Sequence, residues 1–328
     1  MTDNRAAPAA ALGDPPFICV FGDPGTGKTL DSVLSWPDSY VLCLPGSLMG
    51  ARTVVGDALY QSVLANTARV DDLEQAVAFV ESVASGQYAP KPILIDDITV
   101  LSDATLTKLD AFYPSNKVFQ KWAHYDKIVQ SLRSAGRRAQ VPVRMTAHRR
   151  DAGKDDFGAT VRGGLEAGGK RAKGRLEAVL DIVYGVYQDT DQWPHPSRYV
   201  CRPHDSRMVY KDRMHALDGT GPMNLREIMR RAGGYVGTRS AGLEWLDDVA
   251  EQVADRVTAG TPVQTVYAEV TPALVDQGAY KGHAYWALRD GFARAELRTA
   301  GDFFDQVLAE ANAPGDTEAP PSLSGALS

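Results

Sequence analysis

Apolar residues in this chain come first in short unbroken runs and later in helical stripes. Phe17-Ile18-Cys19-Val20-Phe21, Tyr40-Val41-Leu42-Cys43-Leu44, Ile93-Leu94-Ile95 and Val141-Pro142-Val143-Arg144-Met145-Thr146 have strand length without alternation, the pattern of strands buried on both faces. Between them lie stretches of helical spacing. The first starts at Lys28, runs to about Ser35 and is stopped by Pro37, and the second covers Asp71 to Ala84. The third, Asn116 to Arg138, carries Val118, Trp122, Tyr125, Ile128, Val129 and Leu132 in one stripe, which is core rather than a base-stacking platform. Alternating strands and helices predict an α/β fold with a mainly parallel sheet. Ala178 to Val186, Ser197 to Val200 and Met208 to Lys211 add further strands, the last two turning through Pro203-His204-Asp205.

From Ala241 the pattern becomes helical. Leu243, Leu246, Val249, Val253 and Val257 mark one face, and Tyr280 to Ala295 and Phe303 to Ala311 predict two more helices, with Pro262 and Pro272 as interruptions. The expected organisation is a flexible Ala- and Pro-rich leader over 1–15, a core over 16–237, a small helical domain over 238–312 and a disordered tail over 313–328.

Charge refines this picture. The net charge of -6 on 328 residues argues against a protein that coats nucleic acid along its whole surface. Its distribution is uneven, however. Arg149, Arg150, Lys154, Arg162, Lys170, Arg171, Lys173 and Arg175 stand against Asp151, Asp155, Asp156 and Glu166 in a Gly-rich segment. A flexible basic loop of this kind suits a phosphate backbone, with a solvated loop or a subunit contact as the alternative. Beyond Ala241 acids outnumber bases by fourteen to five, which suits a protein partner or a neighbouring copy better than DNA. Cys19, Cys43 and Cys201 are isolated and fit neither a disulfide framework nor a zinc site. No apolar run approaches membrane-spanning length and the N-terminus lacks signal-peptide features, so a cytoplasmic protein with no membrane partner is expected.

The most specific chemistry follows the first strand. Gly22-Asp23-Pro24-Gly25-Thr26-Gly27-Lys28-Thr29 has the spacing of a phosphate-binding loop set between a buried strand and a helix. Its glycines let backbone N–H groups converge on phosphate oxygens, Lys28 neutralises the β- and γ-phosphates, and Thr29 offers a hydroxyl to Mg²⁺. The third strand ends in Asp96-Asp97. On a strand beside the loop, Asp96 is the expected metal-side carboxylate, and Asp97 either orients the attacking water or caps the next helix. His148, at the end of the fourth strand, is placed to sense the γ-phosphate or is a solvated loop histidine. Lys211 and Arg213 alternate along an extended segment and can reach a neighbouring subunit's γ-phosphate; structural ion pairing is the alternative. ATP and Mg²⁺ are the expected cofactors.

With Gly22 to Thr29, Ile93 to Asp97, Thr146-Ala147-His148, the basic Gly-rich segment and Lys211-Asp212-Arg213 in place, the chain resembles phage-encoded RecA-core P-loop ATPases, a family that includes recombination and single-strand-annealing proteins. The resemblance covers about 16–235 and implies a RecA-like core and ATP hydrolysis by an oligomer on single-stranded DNA. It further implies that Lys211 and Arg213 act in trans. One departure is clear: the acidic residue expected after the second strand is replaced by Leu44-Pro45-Gly46-Ser47. Either Asp97 substitutes or hydrolysis is slow or lost, and a nucleotide-gated scaffold or a packaging or helicase-loading ATPase stands as the alternative.

Overall fold

The computed structural model describes residues 15–49, 52, 57–154, 160–168, 170–191, 197–217, 219–231, 234, 244–276 and 281–312. The expected leader, but for residue 15, and the tail lie outside them. In chain order the first half contains β1 (Phe17–Gly22), α1 (Lys28–Ser35), β2 (Tyr40–Cys43), α2 (Asp57–Ala65), β3 (Thr67–Arg69), α3 (Leu73–Ala84), β4 (Ile93–Asp96), α4 (Ile98–Phe112), α5 (Val118–Ala139) and β5 (Val143–Ala147). Next come β6 (Arg149–Arg150), β7 (Gly153–Lys154), β8 (Thr160–Val161), β9 (Gly164–Leu165), α6 (Lys170–Val179), β10 (Ile182–Gln188), β11 (Ser197–Cys201), β12 (Lys211–Asp212) and β13 (Gly219–Pro222). Four helices close the chain: α7 (Leu225–Arg231), α8 (Trp245–Thr258), α9 (Val263–Asp276) and α10 (Lys281–Asn312).

The main sheet has the order β13-β11-β10-β1-β5-β4-β2-β3, with β12 also paired to β10. From β10 to β3 every pairing is parallel, whereas β11, β12 and β13 join antiparallel. This is the expected mixed α/β core with a mostly parallel sheet, followed by helices. One adjacency differs: β5 lies between β1 and β4, so Asp96 is not on the immediate neighbour of the loop strand. Every residue of β1 is buried, and its side chains alternate between two layers. Phe17, Cys19 and Phe21 join the core with α3, α4, α5 and α6, while Ile18 and Val20 join Val33 and Leu34 of α1 and Ile228 of α7 on the other side.

The C-terminal helices continue that second layer. Trp286, Ala287 and Leu297 of α10 belong to the same buried cluster as Ile18 and Val20. Buried polar contacts reinforce the docking: Arg294 pairs with Glu227 at 2.9 Å, Arg226 with Asp247 at 2.6 Å, and Asn224 Nδ2 donates to Asp290 Oδ1 at 2.8 Å. Glu251 is paired with Arg294 and Arg298, and Glu296 with Arg198. Two of the region's acids, Asp247 and Glu296, are therefore paired with cations of the core. Two helix expectations are corrected. The stretches 280–295 and 303–311 form the single helix α10, since no proline separates them and Gly301 costs a helix interior only about 1 kcal/mol. Pro272 lies inside α9 without ending it.

A buried ion cluster pins α1 to these layers. Asp31 accepts from Arg144 Nη2 of β5 at 2.6 Å, from the Leu225 amide at 3.2 Å, and from Arg289 of α10. Arg144 has no exposed surface and also donates to the Tyr184 hydroxyl at 3.0 Å. A charge held this deep is tolerated only with its partner in place. Replacing Asp31 by Ala therefore leaves the buried Arg144 without its carboxylate, with Arg289 keeping Asp290 at 3.6 Å, and should cost about 3–5 kcal/mol, read as a lowered urea midpoint; a loss below about 1 kcal/mol would show the cluster to be dispensable.

Candidate nucleotide site

The turn from β1 into α1 has the backbone that its glycines require. Gly22 passes so close to β10 that a Cβ there would lie 2.6 Å from the Val186 carbonyl oxygen. Gly25 and Gly27 have φ of 81° and 84°, a left-handed conformation that costs glycine least. Gly27 is the N-cap of α1 and offers no side chain to the helix's first amides. Those amides are an anion-binding end in the sense of backbone dipoles and unpaired donors. Thr26 Oγ1 donates to the Asp23 carbonyl at 2.8 Å, and Gln188 Nε2 of β10 donates to the Gly25 carbonyl at 3.0 Å. Lys28 Nζ lies within the loop and donates to the carbonyls of Gly22 at 2.9 Å and Asp23 at 2.8 Å. Burial lowers its pKa, against the opposing pull of Asp97, Asp96 and Asp23. The structure thus brings Gly22, Asp23, Pro24, Gly25, Thr26, Gly27, Lys28 and Thr29 together as one loop.

Thr29 Oγ1 donates to Asp96 Oδ1 at 2.9 Å, and Thr146 Oγ1 of β5 donates to the same oxygen at 2.5 Å. Burial raises the Asp96 pKa, while the Thr146 and Thr29 hydroxyls oppose that shift. A threonine hydroxyl beside a carboxylate is the hard-oxygen set that suits Mg²⁺, which relies on phosphates and water for its remaining ligands. Among the described residues no group of three or more His, Cys, Asp or Glu side chains could hold a metal alone.

Asp97 is the N-cap of α4: its Oδ1 accepts the Thr99 amide at 2.6 Å. Its Oδ2 lies 3.0 Å from His148 Nε2. Further bonds knit this corner together. The His148 amide donates to Thr99 Oγ1 at 2.9 Å, Thr99 Oγ1 donates to the Glu166 carbonyl at 2.8 Å, and the Glu166 amide donates to the His148 carbonyl at 2.9 Å. The metal-side strand end and the segment after β5 are thus mechanically joined.

That segment is corrected from the flexible loop expected over 149–175. β6 pairs with β9 and β7 with β8, both antiparallel, and residues 170–179 are helical as α6. Pairing from farther along the chain stabilises this arrangement, since Gly163 bridges to Met208 and its amide donates to the Arg207 carbonyl at 2.7 Å. Its cations have partners within the chain: Arg149 with Asp151, Arg162 with the carbonyls of Asp205 and Met208, and Arg175 with Asp126. Arg150 lies partly exposed in β6. Lys170, Arg171 and Lys173 start α6, and their side chains lie outside the described residues.

Lys211 and Arg213 lie at the other end of the sheet. β12 pairs with Ile182 and Val183 at the start of β10, whereas Val186 near its end pairs with Gly22. Lys211 Nζ donates to the Glu177 carbonyl at 3.0 Å, and Arg213 pairs with Asp181 at 3.3 Å. Burial lowers the Lys211 pKa, and the neighbouring Arg213 adds to that. Neither cation is brought to the phosphate loop of its own chain. Of the stretch read as Met208 to Lys211 only Lys211 lies in a strand, β12, which runs on to Asp212.

Three contacts around the loop escaped the sequence reading: Asp31 with Arg144, the Thr146 hydroxyl with Asp96, and Gln188 with the Gly25 carbonyl. Arg144, a charge inside a buried strand, was the available signal for Asp31, because such a residue demands a carboxylate.

The raised pKa of Asp96 gives a signed expectation. In an acid whose folded pKa lies above its unfolded one, the contribution favours folding below the unfolded value and is lost as pH rises through the folded value. Asp96→Asn keeps an acceptor for both threonines but cannot ionise. Its Tm should match or exceed that of the natural chain, with an advantage that grows as pH rises above the ordinary carboxyl value of about 4, while Mg²⁺-dependent nucleotide binding falls about tenfold or more. A variant less stable at every pH would contradict this.

Among solved structures, the chain is similar to a KaiC-like protein from the hyperthermophilic archaeon Pyrococcus horikoshii OT3, with 14% identity and a TM-score of 0.35 over 60% of this chain and 82% of that one. No protein-family model matches the chain, and no curated protein matches it. Among the described residues no helix is long and apolar enough to cross a membrane. The chain itself shows a mixed α/β core with a mostly parallel sheet, in which one strand separates the loop strand from the Asp96 strand.

Proposed function

We propose that this chain binds ATP with Mg²⁺ and hydrolyses it as an oligomer acting on single-stranded DNA, in the recombination, repair or replication chemistry of phage-type RecA-like proteins. The observation that carries the proposal is the loop itself: two positive-φ glycines, the uncapped start of α1 and the Lys28 ammonium converge beside the Thr29 and Asp96 oxygens. Gly22 to Thr29 would hold the phosphates by backbone amides, and Lys28 would exchange its two carbonyl partners for phosphate oxygens. Thr29 and Asp96 would hold Mg²⁺, which neutralises charge on the β- and γ-phosphates when bound. His148 faces Asp97 from the strand between these groups and supports a role in sensing the γ-phosphate. Its bonds to Thr99 and Glu166 supply the route by which nucleotide and the 149–165 segment would influence each other. Lys211 and Arg213 would act, in this reading, on the site of a neighbouring copy, and Arg149, Arg150 and Arg162 with Lys170, Arg171, Lys173 and Arg175 on the strand.

A second reading, a nucleotide-gated scaffold with little turnover, is favoured by one feature. Both oxygens of Asp97 are engaged, by the Thr99 amide and the His148 ring, and Leu44 stands where an acid was expected.

Lys28→Ala should weaken ATP binding about 100-fold or more, as loss of a charge-assisted phosphate contact in a buried loop implies, with an unchanged circular dichroism spectrum; unchanged affinity would remove the proposal. Steady-state phosphate release should rise with added single-stranded DNA, and His148→Ala should abolish that rise while sparing ATP affinity. Flat release with DNA in the natural chain would select the scaffold.

A further inference from the structure

On the face of the sheet opposite α1, a cavity of about 210 Å³ opens over β10, β11 and β13, beside Arg149 and the Met208 to Tyr210 stretch. Tyr187 and Tyr210 supply its aromatic surface above the buried Phe21 ring, with the Met208 side chain beside them, and Gly185 contributes depth because it carries no side chain. Phe21 and Tyr210 stack with ring centroids 5.8 Å apart. Arg149 and Arg202 stand at its edge. Two chain neighbours make its position telling. Phe21 directly precedes Gly22, and Arg149 directly follows His148.

The charge at this edge is free to be redirected. Arg149 is bonded to Asp151 in an exposed pair, a kind of contact worth little in water. No carboxylate pairs with the Arg202 guanidinium among the described residues, and its side chain is exposed. The Asp205 carboxylate in the turn before Met208 accepts the backbone amides of Arg207 at 2.6 Å and Met208 at 3.0 Å. A chain of net charge -6 therefore presents two guanidinium groups beside aromatic rings at one place. Aromatic side chains stack unpaired bases and arginines take the adjoining phosphate. A cavity of about 210 Å³ has room for one base.

We propose that this cavity takes up one unstacked base of single-stranded DNA, with Arg149 and Arg202 on its flanking phosphates. The site rests on the single-strand reading above and adds to it a defined pocket. An occupant would touch the residue before the phosphate loop and the residue after His148. It would thereby press on both sides of the nucleotide site, which ties strand binding to turnover by contact.

The test is photocrosslinking of the full chain, with Mg²⁺ and a non-hydrolysable ATP analogue, to an oligo(dT) carrying one 5-iodouracil. Adducts are expected on the peptides holding Tyr187 or Met208 to Tyr210, removed by unlabelled oligo(dT) and not by free deoxyuridine monophosphate. Arg202→Gln should lower oligo(dT) affinity about tenfold and reduce the salt slope by about one, with Tm unchanged. Tight binding with adducts elsewhere and no effect of Arg202→Gln would overturn the pocket and leave the single-strand reading standing. Equal labelling by free 5-iodo-deoxyuridine monophosphate would overturn it in favour of a mononucleotide site. Absence of any oligo(dT) binding would instead overturn the single-strand reading, and the pocket with it.

Discussion

A single ammonium group inside a backbone loop organises this protein. Lys28 Nζ donates to the Gly22 and Asp23 carbonyls in a place where burial disfavours its charge, so an anion delivered there gains a partner already positioned and partly desolvated. The sheet dictates where that happens. Gly22 lies against the Val186 carbonyl, which fixes the loop to β10, and β5 inserts Thr146 between β1 and β4 so that Asp96 meets Thr29 across a gap one strand wide. Three strands therefore meet at one point, each supplying a different polar group.

The helix behind the loop is held from beneath by charge. Asp31, on α1, collects Arg144 from the sheet, the Leu225 amide from α7 and Arg289 from α10. Buried ion pairs rarely add net stability over apolar packing, but breaking one strands a charge. Their effect is to specify how the C-terminal helices seat, and the carboxylates of Glu227, Asp247 and Glu251 repeat the device on their other contacts. Part of the acidic composition of this region thus serves docking within the chain.

What the sequence could reveal followed the range of each interaction. The loop from Gly22 to Thr29 was legible because its requirements are local: positive φ, close approach and a lysine at fixed spacing. The strand ending in Asp96 was legible for the same reason. Thr146 as a partner of Asp96 was not, since it depends on β5 lying between β1 and β4, and Asp31 was not, since its partners Arg144 and Arg289 lie 113 and 258 residues away. The 149–165 segment looked like a loop because its two-residue strands have no periodicity to detect, and contacts from Arg207 and Met208 complete them. Helix α10 was divided at 296–302 because Gly301 weakened the pattern there without a proline to end it.

The most direct measurement is a crystal structure of the full chain with Mg²⁺ and a non-hydrolysable ATP analogue. The account predicts phosphate oxygens against the amides of residues 25–29, Lys28 Nζ moved from the Gly22 and Asp23 carbonyls onto the β- and γ-phosphates, and Mg²⁺ on Thr29 Oγ1. Nucleotide bound elsewhere, with Lys28 still donating to those two carbonyls, would contradict it.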